Sequence, residues 1–165
     1  MNMHTLVLST GSNLGDRREN LASAIELIRG RLGRILKSSD IYESPSWGYQ
    51  SKNRYYNQCL VVETDIEAEE CIRRILEIEH LMGRERTGSE YADRVIDIDI
   101  LYYNNLVMDS GVLKIPHDKL AERKFILLPL AEILPEFEHP ELHVSSLEML
   151  RQCADKQDVK RLYLR

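Results

Sequence analysis

The chain has 165 residues and is 43% hydrophobic, enough to bury one core and most simply a single domain spanning 1–165. Its 22 basic and 27 acidic residues leave a net charge of −5, which argues against broad nucleic-acid or anionic-membrane binding. No apolar run approaches the roughly 18 residues that span a bilayer, Met1–Thr10 turns polar too soon for a signal peptide, and Cys59, Cys71 and Cys153 form no Cys-x-x-Cys pair, so the expectation is a cytoplasmic protein with reduced thiols.

In chain order, His4–Thr10 reads as a strand, and Gly11-Ser12-Asn13-Leu14-Gly15-Asp16 as a turn supplied with helix-capping residues. A helix follows, on which Leu21, Ile25, Ile28 and Leu32 make one apolar stripe before Gly33 helps to end it. Ile35–Glu43 reads as a second strand, and Ser44–Arg54, with Pro45, Trp47, Gly48 and Tyr49, as a polar loop. Tyr55–Thr64 is a third strand. Glu67–Arg84 is a second helix, with acids in its first turn and Ile72, Ile75, Leu76 and Met82 as its stripe. A loop over 85–93 precedes the segment Arg94-Val95-Ile96-Asp97-Ile98-Asp99-Ile100-Leu101. Beyond it lie a hairpin near Leu106–Ile115, short helices and a helix around Ser145–Ala154. The order strand, helix, strand, strand, helix, strand is that of an α+β, ferredoxin-like (split βαβ) sandwich: an antiparallel sheet with helices on one face, here with a C-terminal extension.

The most informative segment is the one carrying Asp97 and Asp99. Side chains alternate along a strand, so these two acids share one face while Ile96, Ile98 and Ile100 share the other. Like charges about 7 Å apart on one strand face repel and resist desolvation, so something positive should neutralise them. Oxygen donors with Arg84, Arg86 and Arg94 nearby suit two magnesium ions holding polyphosphate better than zinc; an isolated Asp-x-Asp, by contrast, also fits a solvated edge strand. If the isoleucines face the helices, Asp97 and Asp99 lie on the open face, and parity in the third strand puts Tyr55 and Asn57 there too. With the third and fourth strands flanking the first, the two pairs stand about 10 Å apart. Glu79 continues the apolar stripe of the second helix and needs a partner, either a salt bridge to a nearby cation or a role in a substrate site.

Together, Gly11-Ser12-Asn13-Leu14-Gly15, Met82-Gly83-Arg84-Glu85-Arg86, Arg94–Leu101, Ile115-Pro116-His117 and Arg123-Lys124-Phe125-Ile126-Leu127-Leu128-Pro129-Leu130 resemble the 6-hydroxymethyl-7,8-dihydropterin pyrophosphokinase family. The resemblance runs from about Leu6 to His139 with its motifs in the expected order. It implies transfer of a pyrophosphoryl group from ATP to the pterin hydroxymethyl group with release of AMP, in folate synthesis. Asp97 and Asp99 match the family's magnesium ligands. Arg84 and Arg94 match catalytic arginines on the polyphosphate, and Arg86 is a further ATP-binding candidate beside them; His117 and Arg123 match nucleotide-phosphate contacts, and Ile100 an adenosine contact, despite its helix-side parity. Tyr55 and Phe125 match the aromatics that sandwich the pterin, Asn57 can meet the pterin edge with donor and acceptor, and Ser44, Pro45 and Trp47 belong to the segment that closes around it, braced by Asn13. The substrates are thus ATP and the reduced pterin, with no nucleic-acid or membrane partner and a monomeric protein.

One loop departs from the family pattern. Thr87-Gly88-Ser89-Glu90-Tyr91-Ala92-Asp93 lacks the usual basic residues and tryptophan, so Tyr91 is expected to stand in as a lid, and Glu90 and Asp93 to bring negative charge towards the nucleotide. Asp118 also replaces the tyrosine or proline common after the histidine. The alternatives are a catalytically weak or silent pterin or nucleotide binder, and a ferredoxin-like module whose aspartates hold a cation for structure alone.

Overall fold

A computed structural model describing residues 2–84 and 92–163 shows how these patterns resolve. In chain order the elements are β1 (His4–Ser12), α1 (Arg17–Arg31), β2 (Arg34–Ser38), β3 (Ile41–Ser44), β4 (Tyr55–Thr64), α2 (Ala68–Leu81), β5 (Asp97–Tyr103), β6 (Met108–Asp109), β7 (Lys114–Ile115), α3 (Lys124–Ile133), α4 (Ser146–Gln152) and β8 (Lys160–Leu162). The main sheet runs β5-β1-β4-β3-β8 with every pairing antiparallel, so β4 and β5 flank β1. β2 pairs with β4 along the edge that β3 continues, making them two halves of one bent strand. The bend falls at Ser39, whose hydroxyl donates to the Asp40 carbonyl (2.8 Å) and accepts from the Cys59 N–H (3.0 Å). Local side-chain bonding of this kind interrupts a ladder that hydropathy alone would carry through.

Helix α1 starts at Asp16, whose carboxylate accepts from the Glu19 N–H (3.1 Å), and it ends at Gly33. At Gly33 φ is +153°, and a Cβ there would stand 2.1 Å from the Glu63 carbonyl oxygen. Only glycine lets the chain turn that tightly against β4. On α2 the buried stripe is Cys71, Ile75 and Ile78, rotated from the expected one. Ile72 is partly buried and Leu76 is 37% exposed, both at the rim of a cavity.

Helices cover both faces of the sheet rather than one. On the first face α1 and α2 pack Leu21, Ile28, Ile75 and Ile78 against Leu6, Leu8, Leu60, Val62, Ile96, Ile98 and Ile100. On the second, Ile126, Leu127 and Leu130 of α3 and Met149 of α4 cover Val7, Cys59, Val61, Leu101 and Tyr102. The C-terminal extension therefore serves as a second covering layer, and β8 adds an edge strand to β3 that the sequence did not foretell. It leaves bare the part of this face where Tyr55, Asn57, Asp97 and Asp99 lie. The expected hairpin forms as β6 and β7. Among the described residues no helix is long and apolar enough to cross a membrane.

A register shift between Val7 and Leu8 marks a β-bulge at Leu101, which puts Leu101 and Tyr102 together on the second face. Ile100 lies before the bulge, 3% exposed, on the α1–α2 face. Its side chain packs into the core, as strand parity predicts. Ile100→Ala should therefore cost about 2–5 kcal/mol in urea unfolding. A cost below about 1 kcal/mol together with weakened nucleotide binding would restore the ligand role.

Candidate active site

The bare region of the second face floors a cavity of about 460 Å3, within the ordinary range for small-molecule sites. Strand register arranges its floor. Gly11 on β1 pairs with Asn57 of β4 on one side and Asp97 of β5 on the other, and Ser9 pairs with Asp99. The Asn57 and Asp97 backbones are thus two strand spacings apart, about 10 Å. A Cβ on Gly11 would meet the Tyr55 ring at 3.4 Å and Asn57 Oδ1 at 3.5 Å, so a side chain there would fill the space between the two ends.

At the β5 end, Asp97 Oδ1 accepts from Arg84 Nη1 (3.1 Å) and Arg94 Nη1 (3.3 Å). Arg84 also pairs with Glu79, which is 3% exposed and accepts from the Ile98 N–H (2.9 Å). Glu79 therefore takes the ion-pair role: it holds Arg84 against the start of β5, and its burial raises its carboxyl above the ordinary value despite Arg84. Asp99 keeps 37% of its side-chain surface, which opens into the cavity. Withdrawal from water, then the charges of Asp97 and Glu79, push its carboxyl upwards, against the pull of Arg123 and Arg84.

His117 follows β7, tied by its N–H to the Leu101 carbonyl (3.1 Å). Its Nδ1 accepts from the Lys119 N–H (3.2 Å), which assigns its proton to Nε2, 3.9 Å from Asp99 Oδ2. Burial, and then the nearby Arg123 charge, lower its pKa, so it is a neutral donor at pH 7. Arg123 lies over the Trp47 ring (4.5 Å to its centre) and near that of Phe125 (5.9 Å), its Nε buried without a hydrogen-bond partner among the described residues.

At the β4 end, Ser44, Pro45, Trp47, Tyr55, Asn57 and Phe125 all line the cavity. Asn57 differs from expectation. Its Nδ2 is spent on the Tyr42 carbonyl and Ser44 Oγ (2.9 Å each), leaving Oδ1 as an acceptor and no free donor for a ligand. Burial raises the Tyr55 hydroxyl, which donates to the Ala92 carbonyl (3.3 Å).

A model of the 7,8-dihydro-6-hydroxymethylpterin-pyrophosphokinase family matches residues 7–135. The chain belongs to this family. A 2-amino-4-hydroxy-6-hydroxymethyldihydropteridine pyrophosphokinase of Porphyromonas gingivalis is 34% identical over 148 residues, covering 88% of this chain and 100% of the relative. That of Aquifex aeolicus is 38% identical over 138 residues, covering 84% and 85%. The folic acid synthesis protein FOL1 of Dictyostelium discoideum is 39% identical over 142 residues, covering 86% of this chain and only 21% of that longer protein. Among solved structures, the wild-type HPPK-DHPS of Plasmodium falciparum with pterin and p-hydroxybenzoate superposes with a TM-score of 0.73 at 20% identity. The match covers 92% of this chain and 43% of that one, a likeness of fold alone.

Of the residues singled out from sequence, the cavity gathers Arg84, Arg94, Asp97, Asp99, His117, Arg123, Ser44, Pro45, Trp47, Tyr55, Asn57 and Phe125. It does not gather Ile100; its neighbour Ile98 lines the wall instead. Arg86, Glu90 and Tyr91 lie outside the described residues. Asp93 is corrected too, since it is absent from the cavity lining and accepts hydrogen bonds from Asn13 and Tyr49 instead of facing the nucleotide end. Sequence reading missed Lys119 and Tyr49 as lining residues, because both sit in loops where no periodicity reports orientation.

The raised Asp99 carboxyl carries a stability consequence with a definite sign. The fold favours its protonated form, so as pH rises through the ordinary carboxylate range the unfolded chain loses its proton first and stability falls towards neutrality. Asp99→Asn is therefore expected to raise the melting temperature of cation-free protein at pH 7 by roughly 2–5 °C, with the gain fading as pH falls to about 4. A lower melting temperature for the variant at pH 7, read by calorimetry, would contradict the electrostatic account.

Proposed function

We propose that the chain carries out its family's reaction in this cavity. A pyrophosphoryl group passes from ATP to the hydroxymethyl group of 6-hydroxymethyl-7,8-dihydropterin, a step of folate synthesis. The pterin hydroxyl oxygen gives up its proton to solvent and forms a bond to the β-phosphorus, the bond between that phosphorus and the α–β bridging oxygen breaks, and AMP leaves with the bonding pair on that oxygen. The observation that carries this reading is that Tyr55 and Asn57 open into the same cavity as Asp97 and Asp99, on either side of a bare Gly11.

Each residue then has a task set by its geometry. Tyr55 and Phe125 sandwich the planar pterin, and Asn57 Oδ1 accepts from an N–H on its edge. Arg84 and Arg94 turn their guanidinium forks to the phosphates, where they can follow charge as it moves to the leaving oxygen. His117 Nε2–H and Arg123 donate to the nucleotide phosphates, and the arginine's stacking on Trp47 joins the nucleotide end to the segment over the pterin.

Asp97 and Asp99 would hold two magnesium ions. The donor chemistry fits: Asp97 and Asp99 both line the cavity, and two hard carboxylates would leave phosphate oxygens and water to complete the coordination magnesium prefers. Charge supports the same reading. By formal charge, Arg84, Arg94, Lys119 and Arg123 match Glu79, Asp97, Asp99 and Asp118 around the cavity, and two divalent ions would bring about four positive charges against the about four negative charges of ATP, which also favours the ionised form of Asp99. When bound, magnesium supplies neutralisation and polarisation of the phosphates.

The silent-binder alternative is not favoured, because the acids, arginines and aromatics that the reaction needs all reach the cavity. We further read the chain as a cytoplasmic monomer acting on small molecules alone; light scattering should give a mass near its 19.2 kDa, and a dimer mass would reject that part.

The deciding assay is magnesium-dependent AMP release with the reduced pterin present. Asp97→Ala and Asp99→Ala should each lower turnover by at least about a hundredfold while remaining folded. Turnover retained by both variants would reject the metal assignment.

A further inference from the structure

Resting on the assignment of the Tyr55 end to the pterin, we propose that Asp93 is a positioning residue: its carboxylate latches the segment between β3 and β4 closed over the pterin slot. Asp93 stands directly before Arg94. Asn13, in the β1–α1 turn, fixes both: its N–H donates to the Arg94 carbonyl (3.0 Å), its Oδ1 accepts from the Arg94 N–H (2.7 Å), and its Nδ2 donates to Asp93 Oδ1 (2.9 Å). A rigid backbone thus presents the carboxylate to the segment.

Two points of that segment close on it. The Tyr49 hydroxyl donates to Asp93 Oδ1 (3.0 Å) and Asn53 Nδ2 donates to Oδ2 (2.9 Å). Tyr49 Oη also lies 3.2 Å from the Tyr55 hydroxyl, so the latch reaches the aromatic wall of the slot directly. Trp47, two residues before Tyr49, meanwhile rests on Arg123. Gln157 Nε2 also donates to the Ser46 carbonyl (3.0 Å), so the segment is tied at several points, and Asp93 supplies the ties at Tyr49 and Asn53.

The residue type suits the task. An ionised carboxylate only accepts, and its two oxygens can serve several donors at once, with charge-assisted bonds stronger than neutral ones. Partial burial works against ionisation, yet the donors Ser51, Asn13, Tyr49 and Asn53 hold the Asp93 carboxyl below its ordinary value. An amide in its place would set an NH2 group against the NH2 of Asn53 or Asn13. Asp93 is absent from the cavity lining, so it acts through the segment residues Tyr49 and Asn53.

Trp47 is the only tryptophan of the chain and sits in the latched segment, so its fluorescence reports closure directly. The test follows binding of the reduced pterin and of a non-hydrolysable ATP analogue by stopped-flow fluorescence, for wild type, Tyr49→Phe, Asp93→Ala and the double variant. Each single variant should release pterin about tenfold faster, with affinity for the ATP analogue alone changed by less than about twofold. The double variant should fall short of the sum of the two, because the Tyr49–Asp93 bond is lost in either single variant while the Tyr49–Tyr55 contact goes only with the Tyr49 oxygen. Unchanged pterin release in both single variants, equal weakening of the ATP analogue, or additive effects in the double variant would overturn the latch. Tyr49→Phe removes one oxygen and keeps the ring, so it decides the matter even if Asp93→Ala folds poorly. A wild-type protein that binds no pterin would overturn the slot assignment, and the latch with it.

Discussion

The pairing of Asp97 with two arginines is the constraint around which the rest is arranged. A strand that places two carboxylates on one face sets up a repulsion that packing alone cannot relieve. Arg84 and Arg94 partly relieve it, and Glu79, buried beneath, holds Arg84 in place while capping the Ile98 N–H. The residual strain concentrates on Asp99, whose carboxyl resists ionisation. A protein selected for stability alone would not keep this arrangement. On the proposed reading the arrangement has a use, because the same repulsion becomes attraction when a divalent cation arrives with the polyphosphate.

The sheet turns this local electrostatics into a shaped site. Its first face is covered by α1 and α2, which take most apolar side chains of matching parity into the core, Ile100 included, while Ile98, Ile72 and Leu76 reach the cavity at the β5 edge. Its second face is covered only in part by α3 and α4, and the uncovered part is the cavity floor. Gly11 separates the aromatic end from the acidic end by leaving the middle of that floor empty. Strand spacing then sets the reach of any molecule touching both, about 10 Å.

The loops complete the walls of the cavity and are tied to one another. Asn13 ties the lead into β5 to the β1–α1 turn, and Asp93 ties the segment over 44–54 to that same point. Asp93, which the sequence suggests as a charge facing the nucleotide, thereby becomes a bond within the frame. The acid is the same; its direction changes the argument.

Much was legible from the chain alone. Alternation along residues 96–100 and in β4 assigned Asp97, Asp99, Tyr55 and Asn57 to one face, since strand side chains have only two directions to take. The order of elements named the split βαβ core, and the ordered motifs named the family. Other features were set only by tertiary structure: the bend at Ser39, the rotation of the α2 stripe to Cys71, Ile75 and Ile78, the second layer formed by α3 and α4, the edge strand β8, and the engagement of the Asn57 amide and of Asp93. The reason is physical. Periodicity along a backbone says which way a side chain points, whereas its partners belong to segments far along the chain, and only folding brings those within hydrogen-bond reach.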